Sequence, residues 1–129
     1  MKQLKIRLAG PEDTQEIVDW LNGTKGNLFD PGILRYPSLR TLCAYNGNAV
    51  AYLPTQRTLF LESLAVNPAS PLLDRAQAFR DLVKGSELLA SSDGIRELYM
   101  LCEDENVLNV AEGHGFERVP YPLVRMKLK

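Results

Sequence analysis

The sequence predicts a single domain of the α/β (α+β) class, in which a mixed, mostly antiparallel sheet is flanked by helices. Apolar residues alternate with polar ones in some segments, as in half-buried strands, and recur at helical spacing in others. An Asn-Gly pair predicts a tight hairpin, and a long helical segment between two apolar strands predicts a parallel crossover. The predicted order is β-α-loop-β-β-β-α-β-α-β-β, and 129 residues is a usual length for one domain.

The first elements are a strand and a helix. Residues 4–8 read Leu-Lys-Ile-Arg-Leu, and this alternation is typical of a half-buried strand. Pro11 and the two acidic residues after it suit the start of a helix, whose apolar side includes Ile17 and Trp20 and whose end is at Asn22-Gly23. Residues 24–40 have no clear period and predict a long loop, which either recognises a ligand or is only pinned to the domain.

A hairpin and a third strand follow. The two apolar segments 41–45 and 49–53 flank Asn46-Gly47-Asn48, and Asn-Gly supplies the positive φ angles of a tight hairpin turn. Pro54 ends the second strand, and a third strand is predicted from Leu59 to Val66. The three strands together predict an antiparallel meander.

The second half predicts two helices and three strands. Ser70 and Pro71 suit the start of a helix that runs to about Ser91. Residues 98–102 predict a buried strand, parallel to the strand before the helix, and residues 105–112 predict a short helix. The last two strands are predicted at 116–119 and 123–128, and Pro120 and Pro122 lie between them.

Composition excludes several classes of protein. The formal net charge is −1 and the basic residues are scattered, which argues against nucleic-acid binding through a basic surface. Two cysteines, Cys43 and Cys102, form neither a disulfide framework nor a zinc motif. No apolar segment has the length of a membrane span, and charged residues interrupt the N-terminus where a signal peptide would be apolar. We therefore expect a cytoplasmic protein that binds neither membranes nor metals.

Two short sequence motifs lie at the positions that this order of elements would require of a known family. Leu-Ala-Val-Asn-Pro occupies residues 64–68 and Gly-Phe-Glu-Arg-Val occupies residues 115–119. With the predicted topology, they resemble the GCN5-related N-acetyltransferase (GNAT) family over nearly the whole chain, residues 1–129. The resemblance implies a GNAT-like sheet, acetyl-CoA or another acyl-CoA as cofactor, and direct transfer of the acyl group to an amine.

The resemblance also implies where the cofactor lies. Its pantetheine arm would pair with the backbone of Leu64, Ala65 and Val66. Its pyrophosphate would rest at the start of the following helix, on Leu73, Asp74, Arg75 and Ala76. Family members have glycine where this chain has Asp74, so the phosphate motif is degenerate and only Ala76 matches. A carboxylate about 4 Å from a phosphate charge costs about 1 kcal/mol in water and about 4 kcal/mol at an intermediate dielectric.

The resemblance implies two catalytic positions, a base and an acid, and this chain matches only the base. Glu62 matches a glutamate that serves as general base in some members; the alternative is a salt bridge to Arg57 or Lys84. The tyrosine that protonates the leaving thiolate in many members is Ala111 here. His114, on a turn, is expected to be a surface or capping histidine.

Two main functions are consistent with these observations. The first is an N-acetyltransferase of the GNAT family that acts on an unknown amine of a small molecule or a peptide. The alternative is a catalytically inactive GNAT-fold module that binds a partner and no longer uses acyl-CoA. An unrelated α+β domain with the same strand order is a third interpretation. The predicted last strands either pair across a two-fold axis in a homodimer or only close the sheet.

Overall fold

The computed structural model describes residues 3–24, 26 and 29–128, and over these residues the domain is a mixed α/β structure. The strands are β1 (Lys5–Leu8), β2 (Leu39–Asn46), β3 (Asn48–Gln56), β4 (Leu59–Leu61) and β5 (Leu98–Met100). The helices are α1 (Thr14–Asn22), α2 (Leu72–Ser92) and α3 (Glu105–Glu112). Short 3₁₀ turns lie at Pro11–Asp13 and Pro31–Arg35. This confirms the predicted class and the predicted order of elements as far as α3.

Strands β1, β2 and β3 form an antiparallel sheet in that order. The predicted hairpin is confirmed, because β2 and β3 pair along their length and Gly47 between them has a φ of +76°, which favours glycine. Cys43 lies opposite both Arg7 and Tyr52 and is fully buried, as expected for a small apolar thiol. The hairpin therefore supplies two of the three strands of this sheet and its most buried side chain.

Strands β4 and β5 form a separate parallel pair, with Leu59 opposite Leu98 and Leu61 opposite Met100. The predicted parallel crossover is confirmed. The predicted meander is wrong, because β4 pairs with β5 and not with β3, and it ends at Leu61 and not at Val66. The hydroxyl of Thr58 donates a 2.8 Å hydrogen bond to the carbonyl of Glu97, which fixes the start of β4 beside β5.

One face of α2 packs against α3. Phe79 and Val83 on α2 are buried against Ala111 on α3, and Met100 and Phe116 pack on this cluster. The long helix is confirmed, although its N-cap is Pro71 and its first residue Leu72. In the described part of the chain, no helix combines the length and apolarity needed to cross a membrane.

The chain after α3 forms no strand within the described residues, so the predictions of strands at 116–119 and 123–128 are wrong. Pro120 and Pro122 have no N–H to donate to a ladder. Arg118 instead binds Glu105 (2.7 Å) and Glu112 (2.8 Å) of α3. Hydrogen bonding and attraction to Arg118 lower the pKa of Glu105. The segment is held to α3 at its start, and its side chains from Glu117 to Leu128 are exposed.

A polar network joins β1, α1 and β3. Arg7 donates to both carboxylate oxygens of Asp13 at 2.8 and 3.2 Å, and the hydroxyl of Tyr52 lies 3.1 Å from Asp13 and 2.8 Å from Glu16. Trp20, predicted on the packed side of α1, is 41% exposed and lies against Tyr52 with ring centroids 5.3 Å apart. Hydrogen bonds from Arg7, then from the backbone N–H of Gly10, hold the pKa of Asp13 far below its ordinary value of 3.8.

This network predicts acid sensitivity. The folded-state pKa of Asp13 is depressed, so the stability that it contributes is present above about pH 4 and is lost as the pH falls toward the folded-state pKa. Asp13→Asn should therefore lower the melting temperature at pH 7 and flatten its decline between about pH 4 and pH 2. Circular dichroism melts over this range measure both effects, with the exposed Asp19→Asn as control. Equal pH dependence in wild type and Asp13→Asn would contradict the prediction.

Candidate functional site

The segment that follows β4 has no strand partner. The β4–β5 ladder ends at Leu61 and Met100, and residues 62–66 make no strand pairing in the part of the chain that the structure describes. Leu64 and Val66 are 43% and 46% exposed, and Ala65 between them is exposed. The backbone N–H and C=O groups of this segment are therefore available to pair with an extended ligand.

A fixed turn connects this segment to α2. The side-chain oxygen of Asn67 accepts from the N–H of Ala69 (3.0 Å), and its carbonyl accepts from the N–H of Ser70 (3.1 Å). Arg75 reaches back from α2 and donates to the carbonyls of Ser70 (3.0 Å) and Pro68. Its guanidinium holds the turn in place and so orients the start of α2 relative to segment 62–66.

The N-terminus of α2 has no side-chain cap. Pro71, the N-cap, has no side-chain acceptor to offer, and the first helical bond runs from the N–H of Arg75 to the carbonyl of Pro71, at 3.1 Å. Among the described residues, no protein acceptor meets the N–H groups of residues 72–74. Leu73 is 84% exposed, and Ala76 is exposed one turn further on. Free N–H groups and the positive end of the helix dipole favour an anion here.

Asp74 is the exception in this anion-binding arrangement. It lies in the first turn of α2 and is exposed, and its carboxylate accepts no hydrogen bond from the described residues. A negative charge in the first turn stabilises the helix by about 0.3–1 kcal/mol. The same charge would oppose a phosphate at this helix start.

Glu62 is the first residue after β4 and is exposed. The alternative of a salt bridge is not observed, because neither Arg57 nor Lys84 lies within ion-pair distance of it among the described residues. The carboxylate is therefore available at the point where the β4–β5 ladder ends. It lies between the end of the β4–β5 ladder at Leu61 and residues 64–66, whose backbone is expected to pair with the pantetheine arm.

Ala111, expected from the resemblance to occupy the position of a catalytic tyrosine, cannot supply an acid. Ala111 is only 2% exposed and belongs to the core with Phe79 and Val83. His114 is exposed, with Nδ1 3.1 Å from the carbonyl of Val110 and its ring edge-on to Phe79 at 5.3 Å. This confirms the interpretation of His114 as a surface histidine that closes the end of α3.

Glu97, which no sequence pattern indicated, is a half-buried carboxylate just before β5. It accepts from the amide of Gln56 (3.0 Å) and from the hydroxyls of Tyr99 (3.3 Å) and Tyr36 (3.4 Å). Burial, followed by the charge of Glu97, raises the pKa of both tyrosines. In the sequence, Tyr36 in the loop before the hairpin was the one residue of this cluster with a suggested binding role. A single glutamate before a strand predicts no particular role.

Glu97 also lines a cavity of about 670 Å³ between β5, α3 and the C-terminal segment. Tyr99, Cys102 and Tyr121 line it as well, and it borders β5 where the ladder with β4 ends. Its lining combines carboxylates and aromatic rings with two arginines, Arg96 and Arg118. The cavity therefore offers groups of both charges beside aromatic surface.

Comparison with known proteins gives matches among solved structures. No family model matches the chain, and no curated protein matches it. The structure is similar to AAC(6')-Iy in complex with a bisubstrate analog, CoA-S-monomethyl-acetylneamine (17% identity, 99% of this chain and 100% of the other, TM-score 0.42). It is also similar to a predicted acetyltransferase with acetyl-CoA from Clostridium acetobutylicum (15% identity, 96% of each chain, TM-score 0.42).

A further similar structure is the aminoglycoside antibiotic 6'-N-acetyltransferase AAC(6')-IG from Acinetobacter haemolyticus, in its apo form (19% identity, 97% of this chain and 99% of the other, TM-score 0.39). At these identities and TM-scores the matches do not bear on substrate or activity. The functional assignment depends on the residues of the chain itself.

Proposed function

We propose that this protein is an N-acetyltransferase that moves an acetyl or other acyl group from acyl-CoA to the amine of a small molecule or peptide. The observation that carries the proposal is the end of the β4–β5 ladder after Leu61. Among the described residues, the backbone of segment 62–66 has no strand partner, and a short turn leads from it to a helix whose N-terminus has no side-chain cap. The resemblance of residues 64–68 and 115–119 to the GNAT family supports the same function.

We assign two parts of the cofactor, the pantetheine arm and the pyrophosphate, to this arrangement. The backbone of Leu64, Ala65 and Val66 pairs with the amides of the pantetheine arm. The start of α2, from Leu73 to Ala76, accepts the pyrophosphate through its free N–H groups. Arg75 keeps the turn between them fixed through its bonds to the Ser70 and Pro68 carbonyls. Backbone groups of the protein thus bind both the pantetheine arm and the pyrophosphate.

The chemistry requires one base. Glu62 takes a proton from the acceptor ammonium, directly or through one water, so that the neutral amine attacks the thioester carbonyl. The new C–N bond forms as the C–S bond breaks, and the sulfur leaves with the bonding electrons. A thiol has a pKa of about 8.5, so CoA leaves as a thiolate. The attacking nitrogen then loses its second proton, which reaches the thiolate through solvent, and the products are the amide and the CoA thiol. The reaction therefore proceeds without a hydroxyl at the position of Ala111.

Calorimetric titration of acetyl-CoA into the purified protein tests the proposal. We expect a dissociation constant in the micromolar range, shared by acetyl-CoA and CoA because both carry the pantetheine and the pyrophosphate. ATP is the control, since it has phosphates and adenine but no pantetheine, and it should bind at least about tenfold more weakly. Absence of acetyl-CoA binding up to millimolar concentration would contradict the proposal and favour the interaction module.

A further inference from the structure

Two parts of the domain meet at Glu97. The sheet of β1, β2 and β3 and the β4–β5 pair share no ladder among the described residues. Within the same residues, the side-chain hydrogen bonds that join the chain before β4 to the chain from β4 onward all end on Glu97. Its carboxylate accepts from the amide of Gln56 (3.0 Å) and the hydroxyl of Tyr36 (3.4 Å), and its carbonyl accepts from the hydroxyl of Thr58 (2.8 Å). We call Glu97 and these three donors the Glu97 junction.

The junction fixes the start of β5. Tyr99 on β5 also donates to the Glu97 carboxylate (3.3 Å), and its ring stacks on Phe60 of β4 with centroids 5.6 Å apart. Tyr36 and Gln56, which lie 61 and 41 residues away in sequence, hold the same carboxylate from the other side of the domain. The β4–β5 pair is therefore fastened to the end of β3 and to the loop before β2 through one side chain.

The junction and the reactive opening lie at opposite ends of one short ladder. Thr58 and Glu97 directly precede the first pair of the β4–β5 ladder, and Glu62 directly follows its last residue on β4. The three pairs of the ladder span about 10 Å. A rotation of the pair at the junction therefore displaces Glu62 and the rest of segment 62–66. A displacement of about 1 Å between reacting groups lowers a rate by up to about 100-fold.

We propose that Glu97 is a positioning residue for the transfer reaction. It keeps the β4–β5 pair, with the base Glu62 and the bound acyl-CoA, aligned with an acceptor that the first sheet and its loops orient. The inference rests on the proposed function for the identity of the reaction. Residues 64–66 and the start of α2 follow β4 in the chain and move with it, so the affinity for acyl-CoA does not depend on the junction. The rate of transfer does depend on it.

Two substitutions at Glu97 separate its shape from its charge. Glu97→Gln keeps an oxygen that accepts from Gln56 and Tyr99, and its amide N–H donates to the hydroxyl oxygen of Tyr36. We therefore expect the kcat of the wild type. Glu97→Leu has a similar size but no acceptor, so kcat should fall about tenfold, while the KM for acetyl-CoA stays within about twofold. Tyr36→Phe removes one donor and should lower kcat about threefold.

The rates are measured as thiol release from acetyl-CoA, with the best acceptor from a panel of small amines and short peptides. Hydrogen exchange measures the junction without any substrate. In Glu97→Leu the amides of β4 and β5 should exchange at least about tenfold faster than in the wild type, while those of β2 and β3 keep their rates. Glu87→Leu and Tyr121→Phe are the matched controls and should behave as the wild type. Both residues line the same cavity as Glu97, and neither side chain has a hydrogen-bond partner within the described structure.

The outcomes separate this inference from the proposed function. Equal losses of kcat in Glu97→Gln and Glu97→Leu would overturn the inference, because the carboxylate would then act through its charge. Unchanged exchange in β4 and β5, or an equal increase in β2 and β3, would overturn it as well. Transfer that proceeds at the full rate in Glu97→Leu would support the transferase and refute the positioning role. Faster exchange confined to β4 and β5, in a protein that binds no acetyl-CoA, would refute the transferase while the junction still holds the pair.

Discussion

Replacing Asp74 with asparagine is expected to tighten acetyl-CoA binding by about tenfold. The Asp74 carboxylate is exposed in the first turn of α2 and has no partner among the described residues. Each phosphate charge about 4 Å away meets a repulsion of about 1 kcal/mol in water, and more where solvent is excluded. Because the pyrophosphate carries two charges, of which the second lies farther away, removal of the Asp74 carboxylate relieves between about 1 and 2 kcal/mol. A tenfold gain in affinity corresponds to about 1.4 kcal/mol.

The same substitution should slightly destabilise the free protein. A carboxylate near a helix N-terminus contributes about 0.3–1 kcal/mol, so Asp74→Asn should lower the melting temperature by a few degrees while it raises affinity. Calorimetry and thermal melts measure the two effects in opposite directions. Asp74→Gly should gain at least as much affinity, because glycine also lets the backbone approach the phosphates.

Asp93→Asn is the matched control for Asp74. It removes the same charge from the opposite end of α2, where Asp93 is the C-cap. Its acetyl-CoA affinity should equal that of the wild type. Unchanged affinity in both Asp74→Asn and Asp74→Gly would show that no phosphate approaches this helix start, and the assignment of Leu73 to Ala76 would fail.

Glu62→Gln is expected to lower the rate of acetyl transfer by about 100-fold, the usual contribution of a general base. Glu62 makes no hydrogen bond or ion pair with the described residues. Its loss should therefore leave the melting temperature and the KM for acetyl-CoA unchanged. The measurement is thiol release from acetyl-CoA in the presence of the amine that a screen identifies.

Glu12→Gln is the control, because Glu12 is an exposed carboxylate in the 3₁₀ turn before α1. It should retain the full rate. If Glu62→Gln also retains the full rate, Glu62 is not the base, and the half-buried Glu97 becomes the next carboxylate to test.

Local sequence patterns were sufficient to predict the elements that are stabilised by interactions between residues close in sequence. Asn46-Gly47 predicted the hairpin because the turn requires a positive φ, and Gly47 has it. Ser70 and Pro71 predicted the start of α2, whose first residue is Leu72. The crossover through α2 predicted that β5 is parallel to β4, since a helical connection returns the chain in the same direction.

Long-range contacts decided the parts that the patterns predicted wrongly. The apolar residues from Leu59 to Val66 predicted one strand, yet the ladder ends at Leu61. The alternation after Phe116 predicted two strands, yet Arg118 is held by Glu105 and Glu112 and the segment beyond it makes no ladder in the described structure. Strand pairing depends on a partner at the right distance, which alternation alone does not contain.

The sequence by itself predicted the candidate site in outline, through its resemblance to the GNAT family: Glu62 as base, residues 64–66 as the backbone that pairs with the pantetheine arm, and residues 73–76 as the phosphate region, in which Asp74 departs from the family's glycine. Chain order alone determined that a strand, a turn and a helix follow one another here, and the roles of these residues stay predictions. Only the tertiary structure decided what faces them from elsewhere in the chain. It brought Tyr36 and Gln56 onto Glu97, and it set the turn after α3 against α2, where the ring of His114 lies edge-on to Phe79. Contacts between residues so distant in sequence arise from packing, and no local periodicity records them.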